Sequence, residues 1–231
     1  MVTVLCVRFG TKYGKDYVER LRNMVSRHMT LPYEFVCLTD DPSPIDGVRL
    51  VVQPNEGYAK GWWHKVHMFD PNLPLTGRIL YLDLDVIVCN SLDKLVQNCT
   101  TFDFYGIKDF NRKFHANWNM LNSSVLSWEK GYHPDIWTVF QTDPRKAQKL
   151  HGDQDWIWNV ARTRIKFWPE EYIMSYKWEL RDRNELDRGN GKIKFKSIRN
   201  PIIPKECCIA VFHGDPNPHE VQDPFVIDNW R

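Results

Sequence analysis

Hydrophobic positions fall in short blocks whose spacing switches between a strand period and a helix period. Val2 to Phe9 (VTVLCVRF) is an apolar run closed by Gly10, which predicts a buried strand opening the chain. Lys15 to His28 then carries apolar residues at Tyr17, Val18, Leu21, Met24 and Val25, the spacing of one helix face. Tyr33 to Leu38 predicts a second strand ended by Thr39-Asp40-Asp41-Pro42, and Val48 to Val52 a third. Strand, helix and strand at this pitch predict a βαβ unit and a parallel sheet. A short helix is expected within Tyr58 to Phe69, then a Pro- and Gly-containing loop from Pro71 to Gly77. Arg78 to Val88 (RILYLDLDVIV) is the most strand-like segment. Phe102 to Ile107, Met120 to Trp128, Lys194 to Ile198 and Cys207 to Phe212 read as further strands, and Gly131 to Val160 as helix broken near Pro144 and Gly152. The expectation is one α/β domain over residues 1–231 with a mostly parallel central sheet. The charged stretch Arg181 to Lys196 is expected to be a flexible loop, either solvated or serving as a lid or acceptor-binding segment.

Composition narrows the classes. Hydrophobic residues make up 42% of 231, enough for a real core. With 31 basic and 29 acidic residues the net charge is +2, so nothing argues for nucleic acid or an anionic membrane as the main partner, and phosphate recognition must be local. Ten Trp residues are compatible with an aromatic core or with stacking on sugar faces. None of the six cysteines forms a C-x-x-C pair; Cys6, Cys37 and Cys89 sit in apolar runs, and Cys207 and Cys208 would face opposite sides of a strand. A reducing, cytoplasmic setting is expected. Arg8 interrupts the apolar N-terminus, so no signal peptide is read, and no run approaches about 18 apolar residues. The sequons Asn98-Cys99-Thr100 and Asn122-Ser123-Ser124 are read as chance matches.

The candidate chemistry centres on Asp83-Leu84-Asp85, which interrupts the apolar run of Arg78 to Val88. Carboxylates inside such a run are costly to bury unless paired or metal-bound. At a strand end they either cap the strand or hold a hard divalent cation. His213-Gly214 ends a second apolar run, Cys208 to Phe212, and adds either a structural histidine or a nitrogen ligand; a mixed oxygen and nitrogen set favours Mn²⁺ over Mg²⁺. Gly152-Asp153-Gln154-Asp155-Trp156 opens a predicted helix, where acidic residues complement the dipole or line a reaction centre. Lys65, on the short helix before the acidic strand, is a candidate for neutralising phosphate charge.

Together, RILYLDLDVIV, NSSV at Asn122 to Val125, GDQDW at Gly152 to Trp156 and FHG at Phe212 to Gly214 resemble, in this order, the metal-dependent glycosyltransferases of the GT-A fold, with the closest look to glycosyltransferase family 8. The resemblance spans the chain from its first strand to Asn217. It implies a GT-A-type nucleotide-diphospho-sugar transferase domain with Mn²⁺ (or Mg²⁺) on Asp83, Asp85 and His213. A UDP-sugar donor and transfer with retention are implied as well. It places Val7, Arg8 and Phe9 beside the nucleotide, Asp40 near base or ribose, Lys65 on phosphate or donor sugar, and Asn122 and Ser123 on the donor sugar. Asp153 and Gln154 come near the anomeric carbon, Asp155 on sugar hydroxyls, and Leu84 and Gly214 within the donor site. The acceptor is left open among glycan, glycolipid and protein, with peripheral membrane contact compatible. In HGDPNP, Asn217 stands where the family usually carries a diphosphate-gripping lysine, so that charge is expected from Lys65 or Lys205. Two other readings remain. The apolar-strand-Asp-x-Asp pattern also resembles haloacid-dehalogenase-type phosphatases, with Asp83 as nucleophile, Asp85 as acid/base and Gly152-Asp153 as the later acidic motif. The Trp content suits a non-catalytic carbohydrate-binding relative.

Overall fold

The computed structural model describes residues 1–97, 99–189 and 191–231; the first sequon, through Asn98, lies outside the described residues. The opening βαβ unit forms where the periodicity places it: β1 (Val2–Arg8), α1 (Lys15–His28), β2 (Tyr33–Thr39) and β3 (Arg49–Val52). A 3₁₀ helix (Gly61–Phe69) follows, inside the expected Tyr58 to Phe69. Then come β4 (Arg78–Leu82), β5 (Val86–Val88), β6 (Phe104–Lys108) and β7 (Leu121–Glu129). The helical region divides at Pro144 and Gly152 into α2 (Asp135–Thr142), α3 (Pro144–Ala147) and α4 (Asp153–Ala161). The rest comprises β8 (Ile165–Phe167), β9 (Ile173–Ser175), a π-helical turn (Tyr176–Leu180), β10 (Leu186–Asp187), β11 (Lys194–Phe195), β12 (Ile209–Val211) and α5 (Pro224–Asn229).

The fold is mixed α/β around a seven-stranded sheet of order β3-β2-β1-β4-β7-β6-β8. It is mostly parallel; only β7 runs against its neighbours β4 and β6. Both faces are covered, as a parallel sheet requires. Because side chains alternate across a strand, Val4, Cys6, Leu80 and Leu82 meet the apolar stripe of α1 on one face. Leu5, Ile79 and Tyr81 meet Trp63, Trp128 and Ile157 on the other. Trp63 and Trp128 are thus core residues, whereas Trp62 is 43% exposed. All six cysteines are free; Cys6 and Cys37 are buried and Cys89 half-buried.

The expected single strand Arg78 to Val88 is two strands. β4 belongs to the central sheet and β5 to a separate three-stranded sheet of order β5-β12-β9. The break falls on Asp83-Leu84-Asp85, because two carboxylates cannot be carried through a sheet buried on both faces. The chain leaves the first sheet with Asp83 N bonded to Ser124 O at 2.8 Å and enters the second with Asp85 O accepting from Phe212 N at 3.1 Å. The expected strand Lys194 to Ile198 shrinks to the two residues of β11, and β8, β9 and β10 had no strand forecast. In the charged stretch, Arg181 is 3% exposed and paired with Asp223 and Glu185. No helix among the described residues is long and apolar enough to cross a membrane.

Candidate active site

The carboxyl ends of β1 and β4 open onto a cavity of about 280 Å³, the edge at which parallel sheets bind ligands. Val7, Arg8 and Phe9 line it from β1, Leu84 and the two aspartates from the β4–β5 break, and Trp62 and Lys65 from the 3₁₀ helix. Phe9 stacks on His64 with ring centroids 4.1 Å apart. Gly10, at φ +67°, turns the chain so that its N–H donates to both oxygens of Asp40, at 3.2 and 3.1 Å. Arg8 is already engaged: it donates to Asp41 at 3.2 and 3.3 Å and to Tyr13 O at 3.1 Å.

Lys65 is the electrostatic centre. Its Nζ lies 3.1 Å from Asp83 Oδ1 and 3.1 Å from Asp153 Oδ2, and donates to Ser123 Oγ at 3.0 Å. Ser123 in turn donates to Asp153 Oδ2 at 2.7 Å. Burial favours the neutral amine, but Asp153 and Asp83 more than offset it, so the lysine pKa is raised. The Tyr81 hydroxyl closes the cluster on Asp83. The side chains of Lys65, Ser123 and Asp153 thus meet at one point, although Asp153 lies 88 positions after Lys65 in the chain. Asn122 is buried and accepts from Ser124 N at 3.0 Å. Asp153 starts α4 with Gln154 and Asp155 beside it in the first turn, Asp153 buried and the other two half-buried.

Asp85 is placed differently. It accepts from Tyr13 Oη at 3.1 Å and has no cation within 4.0 Å among the described residues. Burial and the neighbouring Asp83 push its carboxyl up to about 7, partly opposed by Lys12 and the Tyr13 hydrogen bond. Tyr13 Oη also lies 3.4 Å from Asn217 Oδ1, which brings the HGDPNP segment to the same cavity. Asn217 is otherwise tied to Glu220, through its N–H at 2.9 Å and its Nδ2 at 3.2 Å.

Two expectations need correction. Asp83, Asp85 and His213 are not assembled as a triad: among the described residues no group of three His, Cys, Asp or Glu is close enough to hold a metal ion. The backbone brings His213 beside the Asp83–Asp85 turn, but its Nε2 shares a 2.7 Å hydrogen bond with Ser175 Oγ and its ring stacks on Phe110. Burial, reinforced by Lys177, drives its pKa well down. Gly214 follows at φ +70°. The second correction concerns Lys205. It precedes β12, at the opposite end of that strand from His213, and its carbonyl accepts from Asn90 beyond the far end of β5. It cannot serve this cavity.

Sequence reasoning missed Tyr13 and Tyr81, which line the cavity. Tyr81 had a readable signal, since residues two apart on a strand share a face; Tyr13 had none.

Asp83 and Asp85 by themselves offer two adjacent carboxylates of the kind a hard divalent cation takes, and Asp85 has no cation within ion-pairing distance among the described residues.

No protein-family model matches the chain, and no curated protein sequence matches it. Its architecture is shared with solved structures at low identity. The galactosyltransferase LgtC, solved with donor and acceptor sugar analogs, is 12% identical and superposes at TM-score 0.65 over 94% of this chain and 88% of its own. The bifunctional glycosyltransferase WbbM gives 13% and 0.62, over 98% of this chain and 50% of its own. The glycosyltransferase GlyE of Streptococcus pneumoniae TIGR4 gives 15% and 0.57, over 75% and 47%. These neighbours are GT-A-type glycosyltransferases, and theirs is the fold this chain adopts.

Proposed function

We propose that this chain is a glycosyltransferase that moves a hexose from a UDP-sugar to a hydroxyl acceptor, with retention, using a divalent cation. The observation that supports this best is the Asp83–Lys65–Asp153 cluster with Ser123, set at the carboxyl edge of the sheet beside an uncompensated Asp85. Asp83 and Asp85 would hold the cation, Mn²⁺ or Mg²⁺, which supplies charge neutralisation of the departing diphosphate. Phe9, Arg8 and Asp40 border the nucleotide end, with Val7 beneath. Lys65 is pinned between Asp83 and Asp153 and keeps the carboxylate of Asp153 oriented toward the donor sugar. Ser123 fixes the second side of that carboxylate. Asn122, Gln154 and Asp155 surround the sugar, and Leu84 excludes water from the floor. Trp62, half-exposed over Gly152, offers an indole face to a sugar ring. The glycosidic bond to the diphosphate breaks as the acceptor hydroxyl oxygen bonds to the sugar carbon, and the hydroxyl proton passes to the departing diphosphate oxygen. The acceptor class is a glycan, glycolipid or protein.

Incubating the protein with individual UDP-hexoses and Mn²⁺ is expected to release UDP, and EDTA to stop it. Release of phosphate from a phosphomonoester without UDP release would favour Asp83 as a phosphatase nucleophile and overturn the transferase.

A further inference from the structure

Lys177 is a buried cation without a counter-charge. It lies on the π-helical turn after β9 and is 8% exposed. Its ammonium donates to Asp215 O at 2.7 Å, and among the described residues no carboxylate lies within 4.0 Å of it. An ammonium carries three N–H donors, and burying one without a partner is costly.

Its place relative to the cavity follows from the small sheet. β9 and β12 run in parallel, with Ser175 paired to Val211, so the turn after β9 lies alongside the His213–Asn217 segment after β12. That segment borders Asp85 through the Phe212 N to Asp85 O bond at 3.1 Å and through Tyr13, which reaches both Asp85 and Asn217. Gly214 is exposed, and a Cβ built there would stand 3.7 Å from Lys177 Nζ. That is ordinary van der Waals contact, so the exposed Gly214 and the Lys177 ammonium are direct neighbours. Lys177 also feels Asp85 and Asp215 electrostatically, which partly counters the burial that draws its pKa down to about 8.

The other cations near the cavity are spent or exposed. Lys65 is held by Asp83 and Asp153, Arg8 by Asp41, and Lys12 lines the cavity with an exposed side chain whose charge solvent screens. Asn217 carries no charge. We infer that Lys177, reached past Gly214, binds the terminal phosphate of a nucleoside diphosphate whose other side faces Asp83 and Asp85. This rests on the donor-site reading above and adds to it the residue that supplies the positive charge.

The test is calorimetry of UDP and UMP, each with Mn²⁺, on the parent chain, Lys177→Met, Lys177→Arg and Lys12→Met. The parent is expected to prefer UDP over UMP. Lys177→Met is expected to lose about tenfold to a hundredfold in UDP affinity, the range for hydrogen bonds to charged groups, with UMP affinity nearly unchanged. Lys177→Arg is expected to keep most of the preference. The melting temperature of ligand-free Lys177→Met is expected to equal or exceed that of the parent, whereas removing a merely structural lysine would lower it. An unchanged UDP-to-UMP ratio in Lys177→Met, or its collapse in Lys12→Met alone, overturns the inference while leaving the donor site standing. A parent chain that binds neither nucleotide overturns the donor site itself, and this inference with it.

Discussion

Replacing Lys65 by Met removes the one ammonium shared by Asp83 and Asp153. Each contact is 3.1 Å. At an effective dielectric of about 20, a unit charge pair at that distance is worth about 5 kcal/mol. Two such attractions compete with the desolvation of a buried ammonium, itself several kcal/mol. The variant loses the attraction but keeps two adjacent carboxylates with no counter-charge, next to an already repelled Asp85. Removing one member of a buried ion pair typically costs about 3–5 kcal/mol. In a domain of this size that corresponds to a fall of about 6–20 °C in melting temperature, at roughly 2–4 °C per kcal/mol. Urea unfolding of parent and variant, with and without Mn²⁺, measures this. Mn²⁺ is expected to stabilise the variant more than the parent. A loss below about 1 kcal/mol would refute the placement of Lys65 as the shared counter-charge.

Asp85→Asn is expected to abolish transfer and to raise the stability of the ligand-free protein at pH 8. The folded carboxyl is raised to about 7 by burial and Asp83, so its ionisation opposes folding as pH climbs. For a carboxyl only partly shielded from solvent the gain is about 1–2 kcal/mol after screening, and it should fade as pH falls toward 4. Thermal melts across pH check it, and a variant that turns over normally would sink the metal assignment. Acid should weaken the fold through His67 and His133, which burial lowers to about 4, with His64 adding to the first and Arg164 to the second. Their depressed folded values mean the unfolded chain takes up protons first, so stability falls between about pH 6.5 and 4. His67→Gln should flatten that slope in a pH series of denaturant melts, and an unchanged slope would remove His67 as a contributor.

What the sequence determined by itself is everything that depends on near neighbours. The stripe Tyr17, Val18, Leu21, Met24 and Val25 sets α1 residue for residue, because helical spacing decides which face can be buried. The apolar runs of β1 and β2 announce strands covered on both faces, and an acidic pair interrupting such a run marks where the chain meets solvent or a ligand. Tertiary structure decided which distant residues share that spot. Whether Arg78 to Val88 is one strand or two depends on Ser124 and Phe212 offering separate backbone partners on either side of Asp83-Leu84-Asp85. Lys65 meets Asp153 only because the 3₁₀ helix and α4 pack on the same face of the sheet. His213 arrives at the expected turn, yet Ser175, brought in by the β9–β12 pairing, takes its Nε2. Lys177 sits in a segment with no motif, between Tyr176 and Trp178, and gains its meaning from a glycine 37 residues away (214 less 177). Periodicity encodes which side of an element is buried. It carries no information about which strand becomes its neighbour, and the charges in this cavity are matched across strand neighbours.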